Sequence, residues 1–127
     1  MELLLSRGRY RRVGLYEVDR AAGTVTNIVW SGPGAPEYPA FPIAMGLTGA
    51  AISARKTVKV GDVTTDPRYL TAFGTTRSEI LVPVLDVAGK NVLGTIDVES
   101  EKPNAFSEEV RVLLETCSNV IRLLWCR

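Results

Sequence analysis

Residues 78–86 and 91–100, SEILVPVLD and NVLGTIDVES, form two runs of alternating side chains around a turn at Gly89. Two strands joined by so short a connection must lie side by side and antiparallel. In the first run Ile80, Val82 and Val84 share a face, with Glu79, Leu81, Pro83 and Leu85 on the other. In the second, Val92, Gly94, Ile96 and Val98 oppose Leu93, Thr95, Asp97 and Glu99. If Ile80 and Ile96 enter one core, Glu79 shares a surface with Asp97 and Glu99. A three-residue loop, 87–89, with Gly89 left-handed, predicts Glu79 directly opposite Asp97. Like charges paired across strands cost a few tenths to about 1 kcal/mol. Such a patch persists if it is solvated, if Arg77, Arg68 or Lys56 pairs with it, or if a donor-rich ligand such as an ammonium visits it. Paired carboxylates also serve glycosidases, but nothing else in the chain suggests a sugar cleft.

The remaining segments extend this hairpin into a sheet. Residues 1–8, MELLLSRG, read as a short helix stopped by Gly8. Residues 11–19 and 24–32 read as a second hairpin turning at Gly23. Residues 32–42 carry four of the seven prolines and predict a loop with little room for strand or helix. Residues 46–56 predict a short helix that Thr48 caps, and 57–63 a short strand. Residues 64–77 form a long connector whose Asp66-Pro67 initiates a turn and whose Gly74 suits a lid. Residues 107–126 are the one long helix, with Ser107 as N-cap and Glu108 and Glu109 at the positive end of its dipole. Hairpin-joined strands with helices at the chain ends predict an α+β domain spanning 1–127, its terminal helices packed together on one face of an antiparallel sheet.

Val110, Leu113, Leu114, Cys117, Val120, Ile121 and Leu124 recur at helical spacing and predict one apolar stripe. Val112, Leu123 and Trp125 lie off it, so the last turn is apolar nearly all round and predicts a homodimer contact through the terminal helices. Residues 1–8 are the other surface available to cover it.

Several chemistries are excluded by what the chain lacks. It has no histidine, which removes the Ser-His-Asp triad, the Cys-His dyad and His-based zinc sites. Its two cysteines, Cys117 and Cys126, fall nine residues apart on one helix and point to opposite sides, so they cannot bridge within it. They read as small buried apolar residues in a reducing, cytoplasmic setting. A formal charge of +1 gives no general attraction to nucleic acid or membrane, and no apolar run is long enough to span a bilayer. No metal or cofactor is expected.

The segments VGDVTTDPRYL, TTRSEILVPVLDVAGKNVLGTIDVES and NAFSEEVRVLLETCSNVI, in this order and spacing, resemble a GAF domain over roughly residues 10–124. The resemblance implies a central antiparallel sheet of five to six strands, N- and C-terminal helices on one face, and on the other a small-molecule pocket roofed by the connector and short helix. SE followed by GTIDVES is most similar to the free methionine-R-sulfoxide reductases. The resemblance gives the matching Glu79, Asp97 and Glu99 the role of holding the substrate, and places the reactive cysteines where this chain has Thr48 and about Ala72. No cysteine occurs between residues 1 and 116, and a threonine hydroxyl cannot replace a redox-active thiolate.

The expected function is therefore a non-catalytic sensory or regulatory module. It would bind a small polar molecule, amino-acid-like or nucleotide-like, at Glu79, Asp97, Glu99 and Thr48, with Tyr69, Phe73 and Trp30 as pocket walls. A divergent methionine-R-sulfoxide reductase and a purely structural dimerisation domain are the alternatives.

Overall fold

The computed structural model describes residues 12–32, 39–69 and 75–125. The expected N-terminal helix, Phe73, Gly74 and Cys126 lie outside them. Six strands form one antiparallel sheet in the order β3-β2-β1-β6-β5-β4. They are β1 (Arg12–Asp19), β2 (Thr24–Ser31), β3 (Ala40–Pro42), β4 (Val58–Val60), β5 (Ser78–Leu85) and β6 (Val92–Ser100). Helix α1 (Gly46–Ala54) covers one face and α2 (Glu108–Ile121) the other.

The proline-rich loop departs from expectation. Its last residues form β3, which pairs with Thr24–Thr26 at the sheet edge. An edge strand tolerates Pro42 because one side of its backbone needs no ladder partner.

The turn around Gly89 is left-handed as expected, with φ +71°. Its register differs from the expected one. Residues 87–90 form the loop between Asp86 and Asn91, whose backbones bond at 3.0 Å. The Asp86 carboxylate reinforces this by accepting from Lys90 N and Asn91 Nδ2, each at 2.9 Å. One more loop residue than predicted, together with a bulge between Val84 and Leu85, slides the ladder. Glu79 therefore faces Glu99, and Asp97 faces Leu81.

The main core lies between the sheet and α2. Val13, Leu15, Ile80, Val82, Val84, Ile96 and Val98 pack beneath Phe106 and Leu114. Ser107 caps α2 as expected, its Oγ accepting from Val110 N at 3.2 Å. The predicted single stripe of α2 is split. Val110, Leu114, Cys117 and Ile121 face the core, whereas Leu113, Val120 and Leu124 are exposed. A sheet contacts a narrower arc of a helix than a seven-residue apolar stripe covers, so its margin is left in solvent.

On the opposite face α1 packs through Leu47 and Ala51 onto Val63 and Leu81. Its Ile52 joins Tyr16, Val25 and Val92. Gly49 lets α1 fold back tightly against the turn that leads into it: a Cβ there would stand 2.6 Å from the Ala44 carbonyl carbon. Met45, not Thr48, is the N-cap, and it makes no side-chain cap bond.

A candidate cation-binding site on the sheet face beneath α1

Three rows of side chains cross β5, β6 and β1 on the α1 face. The first is Glu79, Glu99 and Arg12; the second Leu81, Asp97 and Gly14; the third Pro83, Thr95 and Tyr16. Each row follows from register alone, because residues directly opposite in an antiparallel ladder share a face.

Glu99 is 3% exposed and Glu79 9%. Arg12, also 3% exposed, sets Nη1 3.6 Å from Glu99 Oε2 and donates from Nη2 to Tyr16 Oη at 3.3 Å. The Thr76 hydroxyl donates to Glu99 Oε1 at 3.0 Å. Thr48, freed from capping, donates from α1 to Asp97 Oδ2 at 2.9 Å. The other Asp97 oxygen, Oδ1, is out of solvent and accepts no hydrogen bond among the described residues.

Among the described residues, three carboxylates thus share these rows with one guanidinium. Burial pushes the Glu79 carboxyl well above the usual carboxylate range, and the charges of Glu99 and Asp97 add to the effect. Burial likewise raises Asp97 to about 7, opposed by the nearby Thr95 hydroxyl, which lies too far or too poorly aligned to bond it, by the Thr48 hydrogen bond and by Arg12, with Glu99 adding. Tyr16 is pushed up to about 12, first by burial and then by the Asp97 charge, so its phenol stays protonated. A cation bound against these carboxyls would favour their ionised forms and lower the raised values.

One of the cations expected from sequence is engaged elsewhere. Arg68 pairs with Asp66 at 2.7 Å, and Arg12 is the residue paired with the cluster. Arg12 and Tyr16 are the site residues that sequence reading missed. The alternation Arg12, Gly14, Tyr16 was visible, but not that β1 would lie against β6.

Of the expected pocket walls, Tyr69 packs against the Leu47, Ala51, Val63 and Leu81 cluster beside Asp97. Trp30 faces Gly14 on the outer side of β1 and is 37% exposed. It shares the face but stands farther out. Among the described residues no group of three or more acidic or cysteine side chains is disposed to hold a metal ion, and no helix is long and apolar enough to cross a membrane.

A family model described as GAF domain matches residues 1–123. The chain belongs to the GAF domain family. Solved structures agree on this fold over most of the chain. A type II free methionine-R-sulfoxide reductase from Thermoplasma acidophilum is 28% identical with a TM-score of 0.89, covering 97% of this GAF domain and 84% of that chain. A free methionine-R-sulfoxide reductase from Neisseria meningitidis, solved in complex with its substrate, is 29% identical with a TM-score of 0.84, covering 94% and 69%. The free methionine-R-sulfoxide reductase of Saccharomyces cerevisiae is 34% identical over 76 residues, which is 60% of this chain. That alignment spans 42% of the yeast relative's length.

Proposed function

We propose that this GAF domain is a small-molecule sensor that binds a compact, polar, positively charged ligand of amino-acid type over Glu79, Asp97 and Glu99 and leaves it unchanged. The observation that carries this is Asp97 Oδ1, a buried carboxylate oxygen with no hydrogen-bond partner among the described residues, beside two further buried carboxylates. A buried acceptor left empty costs about 1–3 kcal/mol, and an ammonium donor would recover it. The similar Neisseria protein is described in complex with its substrate, which supports a small-molecule ligand for a domain of this fold.

A thermal-shift screen of free amino acids, methionine sulfoxide and cyclic nucleotides tests the reading. A ligand at 100 times its dissociation constant adds about 2.7 kcal/mol to stability. At least one amino-acid-type compound is expected to raise the midpoint of the wild type and to leave Asp97→Asn unmoved. An equal shift in both proteins would remove Asp97 from the site, and no shift with any compound would favour a structural dimerisation domain.

Likeness to three named reductases favours a second reading, turnover of free methionine-(R)-sulfoxide. Against it, no cysteine precedes residue 117, and Cys117 packs into the α2 core, across the sheet from the carboxylates. Sulfoxide-dependent consumption of a thiol reductant would establish this reading, and its absence beside a ligand-induced shift would eliminate it.

The quaternary reading is a homodimer. The exposed Leu113, Val120, Leu123 and Leu124 offer the apolar face of α2 and the turn after it to a second copy. We further assign the protein to the cytoplasm, with neither nucleic acid nor membrane as partner.

A further inference from the structure

The proposed ligand accounts for the three carboxylates but not for Arg12. This guanidinium is carried by β1 in the row of Glu79 and Glu99, and it is nearly as inaccessible as the core. It does not lie flat at the end of its strand. Its Nη2 reaches the Tyr16 hydroxyl, four residues on, at 3.3 Å. The path follows the strand past Gly14, where a Cβ would stand 3.0 Å from Tyr16 Cε1 and 3.8 Å from Arg12 Nη2. Gly14 is directly across from Asp97. The missing side chain at residue 14 therefore makes room for the Tyr16 ring to lie close over β1, with the Arg12 guanidinium passing at ordinary contact distance.

We propose that Arg12 is a tethered guanidinium that already fills one of two cation positions in this site. Its position lies between Glu99, which supplies the charge, and the Tyr16 hydroxyl, which accepts a donor of the planar fork. The remaining position is marked by Asp97 Oδ1, buried without a hydrogen-bond partner among the described residues, with Glu79 in the next row. Recognition is thereby limited to ligands with a single positive centre, and a compound carrying both an ammonium and a guanidinium finds its second position taken. Removing Arg12 would leave its position beside Glu99 as a receptor for a free guanidinium ion.

This inference rests on the carboxylate cluster being a cation site, but its test needs no native ligand. Arg12→Ala, Arg12→Met and the double variant Arg12→Ala/Glu99→Gln are melted with and without methylguanidinium, with methylurea as neutral isostere and sodium chloride as salt control. Arg12→Ala should be destabilised and then restored saturably by methylguanidinium, the folding constant rising about elevenfold at ten times the dissociation constant. Methylurea and salt should restore nothing. The wild type and Arg12→Met should gain nothing, because their position is occupied. The double variant should gain nothing, because the charge partner is gone. If Arg12→Ala is unfolded at rest, the readout is recovery of native circular dichroism on adding methylguanidinium. No recovery, or equal recovery in Arg12→Met or in the double variant, overturns the proposal. A failed amino-acid screen with successful rescue would remove the sensor reading and leave Arg12 standing; the reverse outcome would remove Arg12's role alone.

Discussion

Asp97 holds the Thr48 hydroxyl with one oxygen and buries the other without a partner among the described residues. The consequence is measurable as a dependence of stability on pH. The folded-state pKa is raised from 3.8 to about 7, so between those values the native state binds a proton that the unfolded chain has released. The unfolded state binds fewer protons in that window, and stability must fall as pH rises through it. Glu79, raised for the same reason, acts in the same direction. Urea titrations across this window should show the ligand-free wild type losing stability toward pH 7, and Asp97→Asn losing distinctly less. A wild type that gains stability over that range would contradict the raised carboxyls. A cationic ligand selects the ionised form, so its affinity should rise as pH passes upward through about 7, which titration calorimetry can follow. The acidic residues themselves were legible from alternation. Their burial was not, because a strand pattern says which side chains share a face but not what covers it.

At the scale of elements, α1 bears on the site through Thr48, whose hydroxyl it holds against Asp97. Gly49, next to it, lies against the turn that leads into the helix: a Cβ there would stand 2.6 Å and 2.8 Å from the Ala44 carbonyl carbon and oxygen and 2.9 Å from Ile43 O. Two effects compete in Gly49→Ala. Helix propensity favours alanine by about 1 kcal/mol. Overpacking against rigid backbone costs about 1–3 kcal/mol. All three obstructing atoms are main chain, so the second effect should win. Gly49→Ala is expected to lower stability by about 1–2 kcal/mol. By lifting Thr48 from Asp97 it should also weaken ligand-induced stabilisation. Chemical denaturation and the thermal-shift screen check the two halves separately, and a stabilised variant would show that α1 has room to spare. The expectation that Thr48 caps α1 failed for a related reason. Met45 begins the helix, and the hydroxyl has a carboxylate to bond instead of a backbone amide.

For the molecule as a whole, the sheet divides two kinds of chemistry. One face is closed by α2 over Val13, Ile80, Val82, Ile96 and Val98, and the other holds charged residues beneath α1. The exposed margin of α2 belongs to this scale because it has meaning only between molecules. Sedimentation should find a dimer for the wild type and a monomer for Val120→Glu/Leu124→Glu, with the thermal midpoint of the monomer little changed at low protein concentration. A wild type that sediments as a monomer at all concentrations would end the dimer reading.

Alternation, turn residues and the capped final helix were enough to determine five strands, their antiparallel hairpins and the α+β class, because these depend on interactions between near neighbours. Local rules also put Glu79, Asp97 and Glu99 on one face. Which carboxylate met which was decided by one extra loop residue and a bulge, a shift too small for any pattern to register. The pairing of β1 with β6 could only emerge in the folded sheet, since it joins residues far apart in the chain. That pairing brought Arg12 and Tyr16 to the carboxylates, and the packing of α1 brought Thr48. The face was written locally; the site exists because non-local contacts buried that face, and burial is what makes its charges respond to a ligand.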